Sequence, residues 1–315
     1  REGYGGGQAS GGGLADILMG TENPGGKLAE TFPMALSDVP STAWFPGEHR
    51  QMQYREGVYI GYRYFDTARR GVLFPFGHGL CDAEFDCRGA RAENSPLPAD
   101  RRVTLSAQVK NSGARAGAEV VQVYRHSVGS ATHQPEQQLC GFTKITLQAG
   151  ETRTATIALD AESFRVFDHG AQQWVLEAGS VQLRIGSSSR DIRLTQAINV
   201  VSKQTLSDLA MTTVAPEFPP VDSRRPLTVS DELFSRMLNR PPPTGEDIRP
   251  FHRNSSLAEI GTTWIGGKIQ DRALAQFLGS MGLENADPTT RKMFEAMANR
   301  MPSRAIALLQ PGHIS

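Results

Sequence analysis

The chain has 315 residues, of which 39% are hydrophobic, and its 33 basic residues balance 33 acidic ones. That length predicts two or three domains of about 100 to 200 residues each, and the hydrophobic content is typical of a globular protein. Because there is no net charge and no apolar run near the roughly 18 residues of a membrane span, we expect a small neutral ligand rather than nucleic acid or a membrane.

The first forty residues predict a glycine-rich turn, one helix and one short strand. Three glycines over 11–13 precede an apolar run over 14–19, which we predict to be helical and to end at Gly20 as a C-cap. The sequence NPGGKL over 23–28 then predicts a turn, and TFP over 31–33 a short apolar strand. Neither a Gly-Lys-Ser/Thr ending nor GxGxxG after a strand is present, so we predict no phosphate site.

Two aromatic runs punctuated by glycines follow a loop at about 40–55. They read EGVYIGYRYFD over 56–66 and LFPFGHGL over 73–80, and we predict that both form strands. The loop carries Trp44 and Phe45, whose rings could stack on the apolar face of a sugar. Aromatic side chains in such a loop more often anchor it against the protein, and we favour that role.

From Arg101 the hydrophobic pattern has a period of two, which predicts half-buried antiparallel strands. The alternating apolar positions are Val103, Leu105, Ala107 and Val109, then Ala155, Ile157 and Leu159, then Val181, Leu183 and Ile185. Turn sequences at 111–113, 148–151 and 178–180 lie between the segments, as a β-sandwich requires.

Beyond about Ser202 the chain is punctuated by proline and predicts three amphipathic helices. The first begins at Ser230, the second at Ser255 or Ser256, and the third at Asp287, with proline at its first helical position. One face of the third helix carries Met293, Phe294, Met297 and Met301. We expect this methionine stripe to be core rather than a cofactor site.

The order and spacing of three runs, NPGGKL with TFP over 23–33 and the two aromatic runs, resemble glycoside hydrolase family 3, the β-glucosidases and β-xylosidases. A second ordered set resembles the fibronectin type III-like domain that many family 3 enzymes carry. This set reads VKNSG over 109–113, GAEVVQVY over 117–124 and LCGF over 139–142. The segments 254–265 and 287–312 resemble the C-terminal extension of some bacterial members.

The resemblance implies a multi-domain fragment with four parts. We assign the C-terminal end of an α/β sandwich domain to 1–39, a linker with aromatic strands to 40–92, an all-β fibronectin type III-like sandwich to 93–200, and an α-helical extension to 201–315. The first part would be a remnant of its domain, with the other strands absent, and should therefore expose apolar surface. We expect the extension to pack against the sandwich or against a barrel that precedes this chain.

The resemblance further implies a retaining exo-β-glycosidase, in the first place a β-glucosidase acting on β-linked glucosides or oligosaccharides. Such an enzyme uses two carboxyl groups about 5 to 5.5 Å apart, and in the family both lie upstream of residue 1. We therefore expect a catalytically silent, structural fragment. We assign it no catalytic, cofactor-binding or metal-binding residue, and leave open its substrate-binding residues and its localisation, cytoplasmic or secreted.

Two alternatives remain open at this point. One is a β-xylosidase or arabinosidase of the same family, because the residues that select the sugar are not in this chain. The other is a non-catalytic module that binds carbohydrate or protein and would need an exposed aromatic platform on the sandwich. The aromatic residues available for it are Tyr124, Phe142, Phe164, Phe167 and Trp174.

Three local groups of residues are candidates for chemistry, and each also has a structural interpretation. Glu56 and Asp66 could lie roughly 33 Å apart on an extended chain, so we expect a turn and a strand end rather than a catalytic pair. His78, between two glycines, is the best candidate for proton chemistry, but no nucleophile motif accompanies it and we expect a tight turn. With Cys81 and Cys87 it matches no common zinc spacing, and we expect the three cysteines to be free thiols.

Overall fold

A computed structural model describes residues 3–4, 6–45, 47, 51–93, 95–98, 102–130, 132–168, 170–207, 227–242 and 248–308. The chain forms two compact units, the first made of residues 1–46 and 53–242, the second of 47–52 and 243–315. The helices are α1 (Ser10–Met19), α2 (Tyr62–Thr67), α3 (Asp231–Leu238), α4 (Leu257–Ile260), α5 (Trp264–Ser280), α6 (Pro288–Arg300) and α7 (Ser303–Leu308).

The strands fall into two larger sheets and two short pairs. Their bounds are β1 (Phe32–Pro33), β2 (Val72–Phe74), β3 (Phe85–Glu93), β4 (Leu97–Pro98), β5 (Arg102–Asn111), β6 (Gly117–Val128), β7 (Gln138–Leu147), β8 (Thr152–Asp160), β9 (Arg165–Asp168), β10 (Gln173–Leu176), β11 (Gly179–Gly186) and β12 (Ile192–Val201). One sheet has the order β4-β12-β11-β6-β7 and the other β3-β5-β8. β1 pairs with β2, and β9 with β10.

The two larger sheets enclose one hydrophobic core, so the predicted all-β sandwich is confirmed. Val103, Leu105 and Val109 of β5 are at most 1% exposed, and Leu183 and Ile185 of β11 are fully buried. Each such side chain stabilises the fold by about 1.5–3 kcal/mol relative to an exposed one. The period-two pattern therefore identifies the residues that hold the sheets together.

β3 belongs to the sandwich, although all of its residues except Glu93 lie within the range 40–92 that the sequence assigned to a linker. It pairs with β5 from Phe85 to Glu93. The register shifts between Arg88 and Arg91, and Gly89 has a φ of 65°. This β-bulge interrupts the alternation of side chains, which explains why no period of two is visible here. The domain boundaries themselves stay predictions.

Helix α1 ends where the sequence predicted, but it begins at Ser10 and therefore includes the three glycines over 11–13 that were predicted to precede it. Gly20 adopts the left-handed conformation, with φ of 75°, and caps the helix. None of the residues of α1 is buried, and Leu18 and Met19 are 66% and 83% exposed. The expected apolar surface of a partial α/β layer is therefore present.

The first aromatic run forms a turn followed by helix α2, so the strand prediction for it was wrong. Gly61 has φ of 54° and ψ of −131°, a conformation that favours glycine, and it is the N-cap residue of α2. Tyr64 and Phe65 are buried in one hydrophobic cluster with residues of α3. Packing of these rings has prevailed over the β-propensity of aromatic residues. Of the second run, only Leu73 and Phe74 lie in a strand, β2, so the strand prediction holds for the start of that run alone.

The predicted helix starts are confirmed by their caps. The hydroxyl of Ser230 accepts a hydrogen bond from the backbone of Leu233, and that of Ser256 from the backbone of Glu259. The carboxylate of Asp287 accepts from two backbone N–H groups at the start of α6, where Pro288 is the first helical residue. None of the described helices combines the length and apolar character that a bilayer crossing needs.

The methionine stripe of α6 is not core, and that prediction was wrong for two of its members. Met293 and Met297 are 60% and 46% exposed, whereas Ala298 is fully buried and Phe294 packs against the small core of the helical unit. Successive residues of a helix are about 100° apart. The inward face therefore contains Phe294 and Ala298, and the two methionines lie to one side of it.

Candidate functional site

Asp66 is the centre of a buried polar network rather than a free carboxylate. Its side chain is 7% exposed and pairs with the guanidinium of Arg190 at 2.8 Å, while the amide of Gln137 donates to its second oxygen at 3.3 Å. Arg190 also donates to the carbonyl oxygens of Phe65 and Arg70. The network fastens α2 to the turn between β11 and β12, so Asp66 has a positioning role.

The loop before β7 joins the same network. Gln137 is buried and donates to the carbonyl oxygen of Ser189 at 2.6 Å. Its own oxygen accepts from Arg184, which forms an ion pair of 2.8 Å with Glu136. Each of these contacts joins residues that are 47 or more positions apart, and no sequence motif links the partners. Sequence reasoning therefore missed Arg190 and Gln137.

Glu56 is buried, with 6% exposure, in the turn before α2. Its carbonyl oxygen accepts from the backbone of Tyr59 at 3.0 Å, which confirms the turn. Among the described residues, one carboxylate oxygen of Glu56 has no hydrogen-bond partner, and no hydrogen bond or ion pair joins Glu56 to Asp66. Burial raises the pKa of the neighbouring Tyr59 to about 12 and lowers that of His133, whose ring meets Tyr59 edge-on at 4.9 Å.

His78 lies in a tight turn. Its backbone N–H donates to Pro75, and its carbonyl oxygen accepts from Leu28 at 2.8 Å, while its ring stacks on Phe74 at 5.2 Å. A Cβ atom on Gly77 would lie 2.0 Å from the side chain of Gln122. Glycine is thus required by both close approach and a φ of 78°.

A polar cleft of about 430 Å³ lies beside this turn, and two ion pairs line it. The ammonium of Lys27 contacts the carboxylate of Glu119 at 2.7 Å, and Arg193 contacts Asp191 at 2.8 Å. The hydrogen bond from Arg193 is the main reason that the pKa of Asp191 is lowered. In the part of the chain that the structure describes, the cleft offers no two unpaired carboxylates; it ties the NPGGKL turn to the sandwich.

Asn23 reinforces the same junction. Its amide donates to the carbonyl oxygen of Ala116 at 2.8 Å, and its oxygen accepts from the backbone of Asp82 at 2.9 Å. Arg115 donates to the carbonyl oxygen of Gly20 at the end of α1. The NPGGKL turn is therefore a clamp between the first helix and the sandwich, which the sequence alone did not reveal.

The loop aromatics have different environments. The guanidinium of Arg55 lies 3.7 Å from the ring centroid of half-buried Trp44, and Arg55 also pairs with Asp231 of α3. Trp44 thus anchors the loop, as favoured above. Phe45 is 64% exposed.

The three cysteines are free thiols, as their odd number predicted. Burial raises the pKa of Cys140 to about 12 and that of Cys87 above its ordinary value. The thiol of Cys81 contacts the side-chain oxygen of Asn23 at 3.2 Å. Across the described ranges, no group of three or more His, Cys, Asp or Glu residues is arranged to hold a metal ion.

Known proteins match both the segment that contains the NPGGKL turn and the sandwich to which that turn is bound. Residues 2–62 match the glycosyl hydrolase family 3 C-terminal domain, and residues 119–189 the fibronectin type III-like domain. Thermostable β-glucosidase B of Acetivibrio thermocellus is 44% identical over 201 residues, which are 64% of this chain and 27% of that protein. An exo-α-(1→6)-L-arabinopyranosidase of Bifidobacterium breve is 38% identical over 192 residues, 61% of this chain and 25% of its own length.

Solved structures of β-glucosidases also match this chain. A family 3 β-glucosidase of Bifidobacterium adolescentis superposes with a TM-score of 0.60 at 30% identity, covering 83% of this chain and 32% of that one. A β-glucosidase of Streptomyces venezuelae superposes with a TM-score of 0.58 at 36% identity, covering 62% and 25%. The chain spans about a quarter of the length of the curated relatives that it matches. It belongs to glycoside hydrolase family 3 and corresponds to the C-terminal part of such a protein, with its fibronectin type III-like domain.

Proposed function

We propose that this chain is the structural C-terminal part of a retaining exo-β-glycosidase, in the first place a β-glucosidase that hydrolyses β-linked glucosides. The observation that carries the proposal is the 44% identity to thermostable β-glucosidase B over 201 residues. Retention requires two carboxyl groups about 5 to 5.5 Å apart. We place that pair in domains outside this chain, within the three quarters of the relatives' length that it does not match.

The role of this chain in the proposal is to hold a catalytic-domain segment in a fixed orientation. The segment that matches the family 3 C-terminal domain and the helix that begins at its end are bound to the sandwich at two separate places. One is the clamp of Asn23 with the Lys27–Glu119 ion pair, and the other is the Asp66–Arg190 network. Positioning of reacting groups is a large part of catalysis, so loss of either contact would act on activity without touching substrate.

A second sugar remains a specific candidate. The arabinopyranosidase of Bifidobacterium breve is 38% identical over 192 residues, and the probable β-glucosidase K of Emericella nidulans is also 38% identical, over 206 residues. These two relatives, which differ in their named specificity, are therefore equally similar to this region. An α-L-arabinopyranosidase is the alternative function, and β-xylosidase activity remains in the same class.

The experiment that tests the proposal is a substrate panel with the protein extended upstream to the length of its relatives. We would measure kcat/KM for the p-nitrophenyl derivatives of β-D-glucopyranose, β-D-xylopyranose and α-L-arabinopyranose. The proposal predicts the highest value for the β-glucoside, with the β-anomer of glucose released first, as retention requires. A higher value for the arabinopyranoside would transfer the assignment to the alternative, and release of α-glucose would refute a retaining mechanism.

The binding-module alternative depends on which sandwich aromatics are exposed. Tyr124 and Phe164 are at most 2% exposed, so they are core residues and offer no ligand surface. Phe142 and Trp174 are 65% and 59% exposed. Among the described ring contacts, Trp174 has an aromatic neighbour, Phe167, and Phe142 has none.

A further inference from the structure

We propose that the hairpin β9–β10 carries a carbohydrate-binding platform, in which the ring of Trp174 stacks on the apolar face of a β-linked glucosyl chain. Trp174 and Phe167 are directly opposite each other in the hairpin, with ring centroids 5.5 Å apart and planes at 70°. Trp174 is 59% exposed. The edge-on contact fixes the orientation of the indole while leaving much of its surface open to solvent.

The hairpin is a rigid support for this pair. Val166 and Val175, opposite each other on the inward face, are 5% and 0% exposed. The carboxylate of Asp168 accepts hydrogen bonds from the backbone of Gly170 and Ala171 in the connecting turn, each at 2.9 Å. Because one face is fixed in the core and the turn is closed, a ligand binding to the outer face would lose little affinity to ordering the protein.

Charged planar groups lie beside the aromatic pair. Arg165 donates to the carbonyl oxygen of Trp174 at 3.2 Å, and its guanidinium also contacts Glu162 at 3.0 Å. The side chain of Glu162 is 74% exposed. An aromatic face with adjacent donors and acceptors suits a pyranose, which has an apolar C–H face and hydroxyl groups at its rim.

The size of the patch favours a sugar over a protein partner. A tryptophan buries about 150–250 Å² when it is covered, whereas a stable protein interface needs about 800 Å² on each side. One exposed indole with a partly buried phenyl ring is therefore too small for a protein interface, and it matches one or two sugar rings. The choice of a β-glucosyl ligand rests on the proposed function.

The test is binding of cellopentaose by the 315-residue chain, measured by isothermal titration calorimetry, with maltopentaose as the α-linked comparison. We expect Trp174→Ala to weaken cellopentaose binding at least about tenfold, the loss typical of an aromatic anchor. Trp174→Tyr should keep most of the affinity, because a smaller ring still stacks. Equal thermal unfolding of the variants would show that the hairpin remains folded.

Trp264→Ala is the matched control. Trp264 is 77% exposed, but the ammonium of Lys268 already lies over its ring, 4.1 Å from the centroid. This variant should bind as the unmodified chain does. The proposal is overturned if the chain does not bind cellopentaose, if Trp174→Ala binds it unchanged, or if maltopentaose is preferred. Because binding is measured without hydrolysis, these outcomes are independent of which glycoside the extended protein cleaves.

Discussion

Removing the ammonium of Lys27 should destabilise the first unit, because it leaves a buried carboxylate without its counter-ion. The side chains of Lys27 and Glu119 are 14% and 9% exposed, and the ion pair spans 2.7 Å. Breaking a buried pair from one side costs about 3–5 kcal/mol. Since both groups keep slight exposure, and Glu119 still accepts from the backbone of Val120, we expect about 3 kcal/mol for Lys27→Met. For a unit of this size that corresponds to about 6–12 °C in Tm.

A double-mutant cycle separates the ion pair from lost packing. Lys27→Met and Glu119→Gln each leave one unpaired charge, while the double variant leaves none, so we expect it to be about 1–3 kcal/mol more stable than the sum of the single effects implies. The free energy of unfolding would be measured by urea denaturation followed by circular dichroism. Arg102→Met is the control, because its pair with Asp160 is 70% and 50% exposed and contributes at most about 1 kcal/mol. Strict additivity, or a Lys27→Met effect no larger than the control, would refute the reasoning.

Three further predictions follow from buried groups in the sandwich. Gly141→Ala places a Cβ atom 2.5 Å from a methyl group of fully buried Leu159, so it should lower the free energy of unfolding by about 1–3 kcal/mol in urea denaturation; an unchanged midpoint would contradict this packing. Hydrogen bonds, first among them that from the Ser207 hydroxyl, lower the pKa of Asp168 from its ordinary 3.8 to about 2. The stabilising effect of the ionised Asp168 carboxylate should therefore be complete above about pH 4 and lost as the pH falls through about 2. The urea midpoints of Asp168→Asn and of the unmodified chain should then converge in acid. A difference between the two midpoints that persists undiminished at about pH 2 would show that the stabilisation does not come from this carboxylate. With a pKa of about 12, the thiol of Cys140 should react with iodoacetamide at pH 8 only after unfolding, as mass spectrometry would show, and rapid native labelling would show that the site is open.

The sandwich could be predicted from sequence because each of its strands buries one face. Val103 and Leu105 alternate with polar neighbours, and that pattern directly reports which side chains point to the core. The helix starts could also be predicted, because the hydroxyl of Ser230 and the carboxylate of Asp287 accept hydrogen bonds from N–H groups in the first turn of the helix that follows. In both cases the deciding interactions involve residues close in sequence.

The errors and omissions have non-local causes. Tyr64 and Phe65 were predicted to lie in a strand from their propensity, but contacts with α3, more than 160 positions later, make them helical. The partner of Asp66 is Arg190, which is 124 positions away. Nothing in the sequence around either residue indicates that the two form an ion pair. Met293 and Met297 shared a helical face with Phe294 in the sequence, yet only packing against α5 decides which part of that broad face is buried.

The most direct test of the account is hydrolysis of p-nitrophenyl β-D-glucopyranoside by the 315-residue chain, side by side with the upstream-extended protein. The account predicts release of nitrophenol by the extended protein and none above the buffer rate by the chain alone, because the site carboxylates Asp66, Glu119 and Asp191 are each held in an ion pair. Turnover by the chain alone that is lost in Glu56→Gln or Asp66→Asn would contradict the structural role assigned to this part of the family 3 protein.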